Sequence, residues 1–375
     1  MKNLIKVTLG IVLVLEFVST AQAQHHKYKI IDLGTLPGGT SSQAFAINDL
    51  GQVVGAVSVP EGTHAFLWTD SGGMQDLGTL PGGGAYSYAS GINLEGTIAG
   101  TSAFTQPFDG NTHAFVWTKS SGMQDLGTLG CPDITGATGI NFFSEVVGIS
   151  TIPPCLGGGL YRAFIAYFKS SDGTIQSLGT LPGGSSSTGE AINFFGTIVG
   201  YSSCSPCVGY HAFLWTNNQG MQDLGTLPGG ATSAANGINL SDLVVGSSDF
   251  QGSVVPHAFL WSKGVGMQDL GVLSGGYYSF ALGINDLGDV VGNSQYANNY
   301  SSGEHAFIWS KEKKGMRDLN DLIPRDSRWM LFDARAINNQ GQIVGSGIVN
   351  QQTHAFLLTP GRDEDCNCDE GAEDR

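Results

Sequence analysis

Seven copies of a four-part repeat, offset against one another at the two ends of the chain, limit what this sequence can fold into more than any other feature. Segments of the His-Ala-Phe type begin at His64, His113, Arg162, His211, His257, His305 and His354, 46 to 49 residues apart. Ile-Asn pairs end at Asn48, Asn93, Asn141, Asn193, Asn239, Asn285 and Asn338, each followed by a run such as Val53-Val54-Gly55. The fourth part, Asp-Leu-Gly-Thr-Leu or a close variant, begins at Asp32, Asp76, Asp125, Ser177, Asp223, Asp269 and Asp318. Its first copy precedes every His-Ala-Phe segment, and the last such segment, at His354, has no copy after it. The chain therefore begins with the piece that its last repeat lacks.

Four short β-like runs per repeat at this period match the blade of a β-propeller. The fold expected is all-β: a seven-bladed propeller with four strands per blade, closed by the N-terminal strand pairing into the last blade. The run before each Ile-Asn is rich in small residues, as in Ala44-Phe45-Ala46, which suits the crowded innermost strand, a. Strand b is the Val-Val-Gly run, c the His-Ala-Phe segment and d the segment ending in Asp-Leu-Gly. Asn and Gly after strand a suit a tight turn because both tolerate positive φ. An open solenoid would instead need atypical polar caps at its ends.

Composition agrees, with 56 glycines and only 13% charged residues. The formal charge of −15 argues against nucleic acid as a partner, since phosphates need a basic surface. Residues 1–23 read as an export signal: Lys2 and Lys6, an apolar Leu9–Val18, then Ala21-Gln22-Ala23 before the expected cut. No later stretch is apolar enough to span a bilayer, so a secreted or periplasmic protein with no membrane insertion after cleavage is expected. Residues 24–360 form the repeat domain and 361–375 an acidic tail expected to be disordered. A monomer is expected.

The repeats resemble those of the HAF-repeat proteins, a family of predicted extracellular bacterial repeat proteins, through the His-Ala-Phe-Leu-Trp, Met-Gln-Asp-Leu-Gly-Thr-Leu, Pro-Gly-Gly, Ile-Asn and Val-Val-Gly motifs over residues 27–360. The resemblance implies an extracellular repeat protein and carries no activity with it.

No catalytic constellation, cofactor or metal site stands out. Six of eight histidines hold one repeated position, too far apart from blade to blade for a shared metal. In the third repeat both the His (Arg162) and the Asp (Ser177) are replaced, which hints that the two residues interact. A catalytic pair would break the repeat symmetry of the central channel, and no break beyond the third repeat is visible in the motifs. An enzyme such as a polysaccharide lyase or hydrolase, and a structural envelope or matrix protein, are the alternatives to a binding module.

Binding is expected on variable loops carried by a regular scaffold. The b-to-c loops and d-to-a links, which share one face, carry Tyr86, Tyr88, Phe104, Phe108, Tyr201, Tyr210, Phe250, Tyr277, Tyr278, Tyr296 and Tyr300. Aromatics beside Asn, Ser and Gly suit a glycan or an extracellular or envelope protein as ligand. The a-to-b links read as short and similar. Disulfides are expected between Cys131 and Cys155 and between Cys204 and Cys207; the rivals are a Cys155–Cys204 bond and a four-thiolate zinc site.

Overall fold

The structure, a computed structural model, describes residues 27–104, 111–131, 134–154, 160–168, 174–296, 303–313 and 315–361. The export signal and the acidic tail beyond Gly361 lie outside the described residues. Seven four-stranded antiparallel sheets make up the molecule. Blade 1 is typical: Ser42–Ile47, Val53–Val59, Gly62–Thr69 and Gly73–Asp76, paired in that order from a to d. Helical structure among the described residues is confined to two 3₁₀ turns, Leu319–Asp321 and Arg325–Ser327.

Closure follows from the phase offset. Blade 7 takes Met330–Ile337, Ile343–Val349 and Gln352–Pro360 from the C-terminal end, and its outer strand is Tyr28–Asp32. The register runs from Tyr28 opposite Pro360 to Asp32 opposite Phe356, so an edge that would otherwise be open is paired. The core sits between adjacent blades. The Phe of every His-Ala-Phe segment, from Phe66 to Phe356, is fully buried, and Trp68 packs with Leu33, Val344 and Leu357 of blade 7.

The histidine of each segment reaches the outer strand of its own blade. Nδ1 of His64, His113, His211, His257, His305 and His354 lies 2.5 to 3.0 Å from the carboxylate of Asp76, Asp125, Asp223, Asp269, Asp318 and Asp32. Blade 3, which has neither residue, ties its Arg162 to the backbone carbonyl of Ser185 instead. The pairing expected from the double replacement in that blade is present in the other six.

The Ile-Asn motif has a role different from the one its turn chemistry suggests. Positive φ in these turns belongs to Gly51, Gly96, Ser144, Gly196, Asp242, Gly288 and Gly341, not to the asparagines. Each Asn is buried, and its Nδ2 donates to the backbone carbonyl of the Asn in the next blade. The links run from Asn48 to Asn93, Asn141, Asn193, Asn239, Asn285 and Asn338 and back to Asn48, at 2.9 to 3.3 Å. Oδ1 meanwhile accepts within its own turn, for Asn48 from the N–H groups of Leu50 and Gln52. The result is a closed belt of seven amides around one end of the axis.

Candidate functional site

The inner strands surround a central channel with a cavity of about 730 Å³. What faces it is decided by one irregularity repeated in all seven blades. Strands a and b pair normally until a β-bulge on a, which leaves one residue outside the ladder: Phe45, Ser90, Thr138, Glu190, Asn236, Leu282 and Arg335 in blades 1 to 7. Opposite the bulge stands the Gly of Val-Val-Gly. A Cβ on Gly200 would lie 2.0 Å from the carbonyl oxygen of Thr188, and one on Gly55 1.9 Å from that of Gln43. Glycine there lets the bulged strand come close, and the bulge turns its extra residue to the channel wall.

These seven residues do not repeat, so the channel is asymmetric. Ser90 Oγ donates to the carbonyl of Ala137 at 2.5 Å, Thr138 Oγ1 to that of Gly189 at 2.8 Å and Asn236 Nδ2 to that of Ala281 at 2.9 Å, each linking its blade to the next. Glu190 holds the same ring position but cannot donate while ionised, and its carboxyl has no hydrogen-bond partner among the described residues. Burial raises its pKa from 4.5 to about 7.

Blade 7 contributes a cation to the same wall. Arg335 Nε donates to Asp333 Oδ2 at 2.7 Å, and the other Asp333 oxygen accepts from Ser346 N–H at 2.7 Å. The guanidinium carbon lies 5.8 Å from the ring centre of Phe45, within cation–π range. Phe45 meets Tyr88 edge-on at 6.3 Å, and Tyr88 meets Tyr86 at 5.6 Å. Burial, with Tyr88 adding to it, raises the Tyr86 phenol to about 12, so it remains a neutral donor. Three connected rings and a guanidinium thus lie on the side of blades 7, 1 and 2, with Glu190 and Asn236 supplied by blades 4 and 5.

The aromatics expected on the loop face divide, among the described residues, into four groups. Tyr86 and Tyr88 line the channel, Tyr88 from within the inner strand Ser87–Ile92 rather than from a link. Phe104, Phe250 and Tyr296 lie against the histidines of their own blades. Phe104 stacks on His113 at 3.8 Å, Tyr296 on His305 at 4.4 Å, and Phe250 tilts over His257 at 4.4 Å. Tyr201 and Tyr210 sit in strands b and c of blade 4, not in a loop, and meet edge-on at 5.6 Å over a side cavity of about 330 Å³. Strands b and c run further toward the loop face than the motifs indicate, which is why these residues and Phe250 fall inside strands. Tyr278 contacts Phe280, and its hydroxyl donates to Glu304 at 3.2 Å; Tyr277 donates its N–H to the Gln295 side chain. Phe108 and Tyr300 lie outside the described residues.

Cys204 and Cys207 form a disulfide. This rules out a Cys155–Cys204 bond and occupies two sulfurs that a four-thiolate zinc site would need. Cys131 is buried and disulfide-bonded, and Cys155 lies outside the described residues.

The asymmetry of the channel overturns the expectation that its symmetry breaks only in blade 3. The bulged residue lies two positions before the Ile of each Ile-Asn pair and belongs to no motif. The available signal was a variable residue between small ones, as in Ala44-Phe45-Ala46 and Gly189-Glu190-Ala191.

No family model matches the chain, and no curated protein matches it. Among solved structures it is similar to TolB from Acinetobacter baumannii, with a TM-score of 0.41, 9% identity, and coverage of 83% of this chain and 64% of that one. It is also similar to a mutant Trypanosoma rangeli sialidase displaying trans-sialidase activity, with a TM-score of 0.36, 9% identity and coverage of 86% and 54%. The sialidase in complex with 2,3-difluoro-KDN gives a TM-score of 0.36, 10% identity and coverage of 85% and 53%. The chain thus spans between about half and two thirds of the length of these structures. The propeller described above is read from its own sheets.

Proposed function

We propose that this is an exported, non-catalytic binding module of the HAF-repeat type that holds an uncharged glycan at the mouth of its central channel. The observation that carries the reading is the convergence of Phe45, Tyr86 and Tyr88 with Arg335, Asn236 and Glu190 in one cavity. Sugar rings present an apolar face of C–H groups and an edge of hydroxyls. An aromatic wall matches the first, and amide, phenol and carboxyl groups match the second. Asp333 already holds Arg335 Nε, so the cation is partly neutralised and an acidic sugar is not required. The Cys204–Cys207 disulfide fits an oxidising compartment.

The test is a screen of neutral oligosaccharides against residues 24–375, followed by calorimetric titration of the best ligand. Tyr88→Ala is expected to weaken binding by about tenfold or more, as loss of a central aromatic anchor does. Tyr296→Ala, whose ring covers His305, should leave affinity unchanged. Sensitivity to Tyr296 with indifference to Tyr88 would move the site to the outer loops. One observation favours a hydrolase or lyase instead: Glu190, a carboxyl raised to about 7 in a ligand-sized cavity. Chromatography of the same oligosaccharides after incubation separates the two readings, since shortened products that vanish in Glu190→Gln would establish an enzyme.

A further inference from the structure

The end of the propeller that carries the asparagine belt has a second unusual surface. In blades 3 and 4 the Asn side chain holds the a-to-b turn, its Oδ1 accepting from the N–H groups of Phe143 and Glu145 in one and of Phe195 and Thr197 in the other, so the side chains of the two residues after the Asn take no part in holding it. In blades 3 and 4 all of these places are phenylalanine: Phe142 and Phe143, Phe194 and Phe195. The four rings form one cluster. Phe142 meets Phe143 at 5.4 Å and Phe194 at 5.5 Å, Phe143 meets Phe194 at 4.9 Å, and Phe194 meets Phe195 at 5.4 Å. They are nevertheless open to solvent, Phe143 at 52% and Phe195 at 72%.

The apolar surface continues in two directions. Toward the axis, Leu94, Phe142, Phe194 and Leu240 form an arc at the mouth, facing a polar arc of Asp286, Asn339 and Asp49 that is cross-linked by its own side-chain hydrogen bonds. Away from the axis, Phe195 borders a groove of about 350 Å³ between blades 3 and 4, with Tyr167, Trp215 and Glu145 on its walls. Contiguous exposed apolar surface of this kind marks a contact site.

Charge indicates what covers it. The seven turns contain six acids, Asp49, Glu95, Glu145, Asp242, Asp286 and Asp289, and no Lys, Arg or His; the described c-to-d hairpins at the same end add Lys119, Lys263, Lys311 and Lys313 with Asp70 and Glu312, so the end stays net acidic. An anionic lipid surface or a second copy of this chain, itself strongly acidic, would meet like charge. A polypeptide with apolar side chains beside lysines or arginines would meet both halves of the surface correctly. We propose that the Phe142–Phe143–Phe194–Phe195 cluster and the adjoining groove dock a basic, apolar segment of a partner protein, on the face opposite the glycan site.

The test uses two labelled peptides of equal charge, one alternating leucine with lysine and one alternating glycine with lysine, with fluorescence anisotropy at physiological salt. The leucine–lysine peptide is expected to bind at least about tenfold more tightly, and Phe143→Ser with Phe195→Ser should abolish that difference while leaving the melting temperature in place. Glu145→Gln with Glu95→Gln should weaken binding without touching a ring, which keeps the proposal testable if the Phe variant unfolds. Equal binding of both peptides, or a preference that survives both variants, overturns it. Phe-dependent binding to phosphatidylcholine vesicles without any peptide preference assigns the surface to a bilayer, and Phe-dependent dimers in sedimentation assign it to a second copy; either result also overturns the proposal.

Discussion

Asn338 Nδ2 donates to the backbone carbonyl of Asn48 at 3.1 Å, across 290 positions of sequence, and so completes the amide belt that joins all seven blades. The same Asn accepts from the N–H groups of Gln340 and Gln342, so one side chain serves two blades.

Asn338→Ala is therefore expected to cost about 2–4 kcal/mol, because it leaves several buried polar groups without partners. Equilibrium urea unfolding measures it. Deleting residues 27–36 removes the outer strand of blade 7 altogether and should produce aggregation or a large fall in melting temperature. An unchanged melting curve would contradict the ring closure.

Gly200→Ala is expected to be as damaging as loss of a belt residue, at about 3 kcal/mol or more. Its Cβ would stand 2.0 Å from the Thr188 carbonyl oxygen, so the inner strand of blade 4 must move. Glu190 lies in that strand, and a change in ligand affinity alongside the loss of stability would confirm that the bulge sets the channel wall.

Glu190 makes stability and binding depend on pH. Its folded pKa, about 7, is above the ordinary 4.5, so its contribution is fully present below 4.5 and is lost as pH rises through 7. The shift corresponds to at most about 3 kcal/mol, reduced by water reaching the channel. Glu190→Gln should therefore gain stability relative to the parent at pH 8 and show little difference at pH 5, read by thermal melts at the two values. A gap of the same size at both would show that Glu190 does not titrate in this range.

The His257–Asp269 pair is expected to couple by about 0.5–1 kcal/mol in a double-mutant cycle with alanine, since the Asp is half exposed. Burial alone would raise the Asp269 carboxyl, but His257 and the Gly271 N–H outweigh it and hold the pKa below the usual 3.8. Its contribution is thus present above that value and fades as pH falls below it. A cycle energy indistinguishable from zero at pH 6 would make the pair an accident of geometry.

The parts legible in the sequence are those that every blade needs in the same way. The strand order, the closing strand and the His–Asp pair are written in repeated letters because each blade meets an equivalent neighbour. The amide belt was half visible: the asparagines recur, but a bond from one turn to the next blade cannot be told from turn chemistry along the chain. The candidate site was least visible, since Phe45, Glu190 and Arg335 share no motif and come together only because a bulge turns the same register position inward in each blade. The phenylalanine turns were hidden for a related reason, since their lengths repeat while their side chains do not.

The phase offset also orders assembly in time. Strand Tyr28–Asp32 leaves the ribosome before any blade, but its partner Gln352–Pro360 comes last, and the His354–Asp32 contact spans 322 positions. Joining ends that far apart costs about 5 kcal/mol of chain entropy, so the earlier blades have to bring them together first. A nascent or truncated chain that stops before residue 352 has no partner for its own first strand and keeps two open edges. Closure of the ring thus requires the last repeat to be complete.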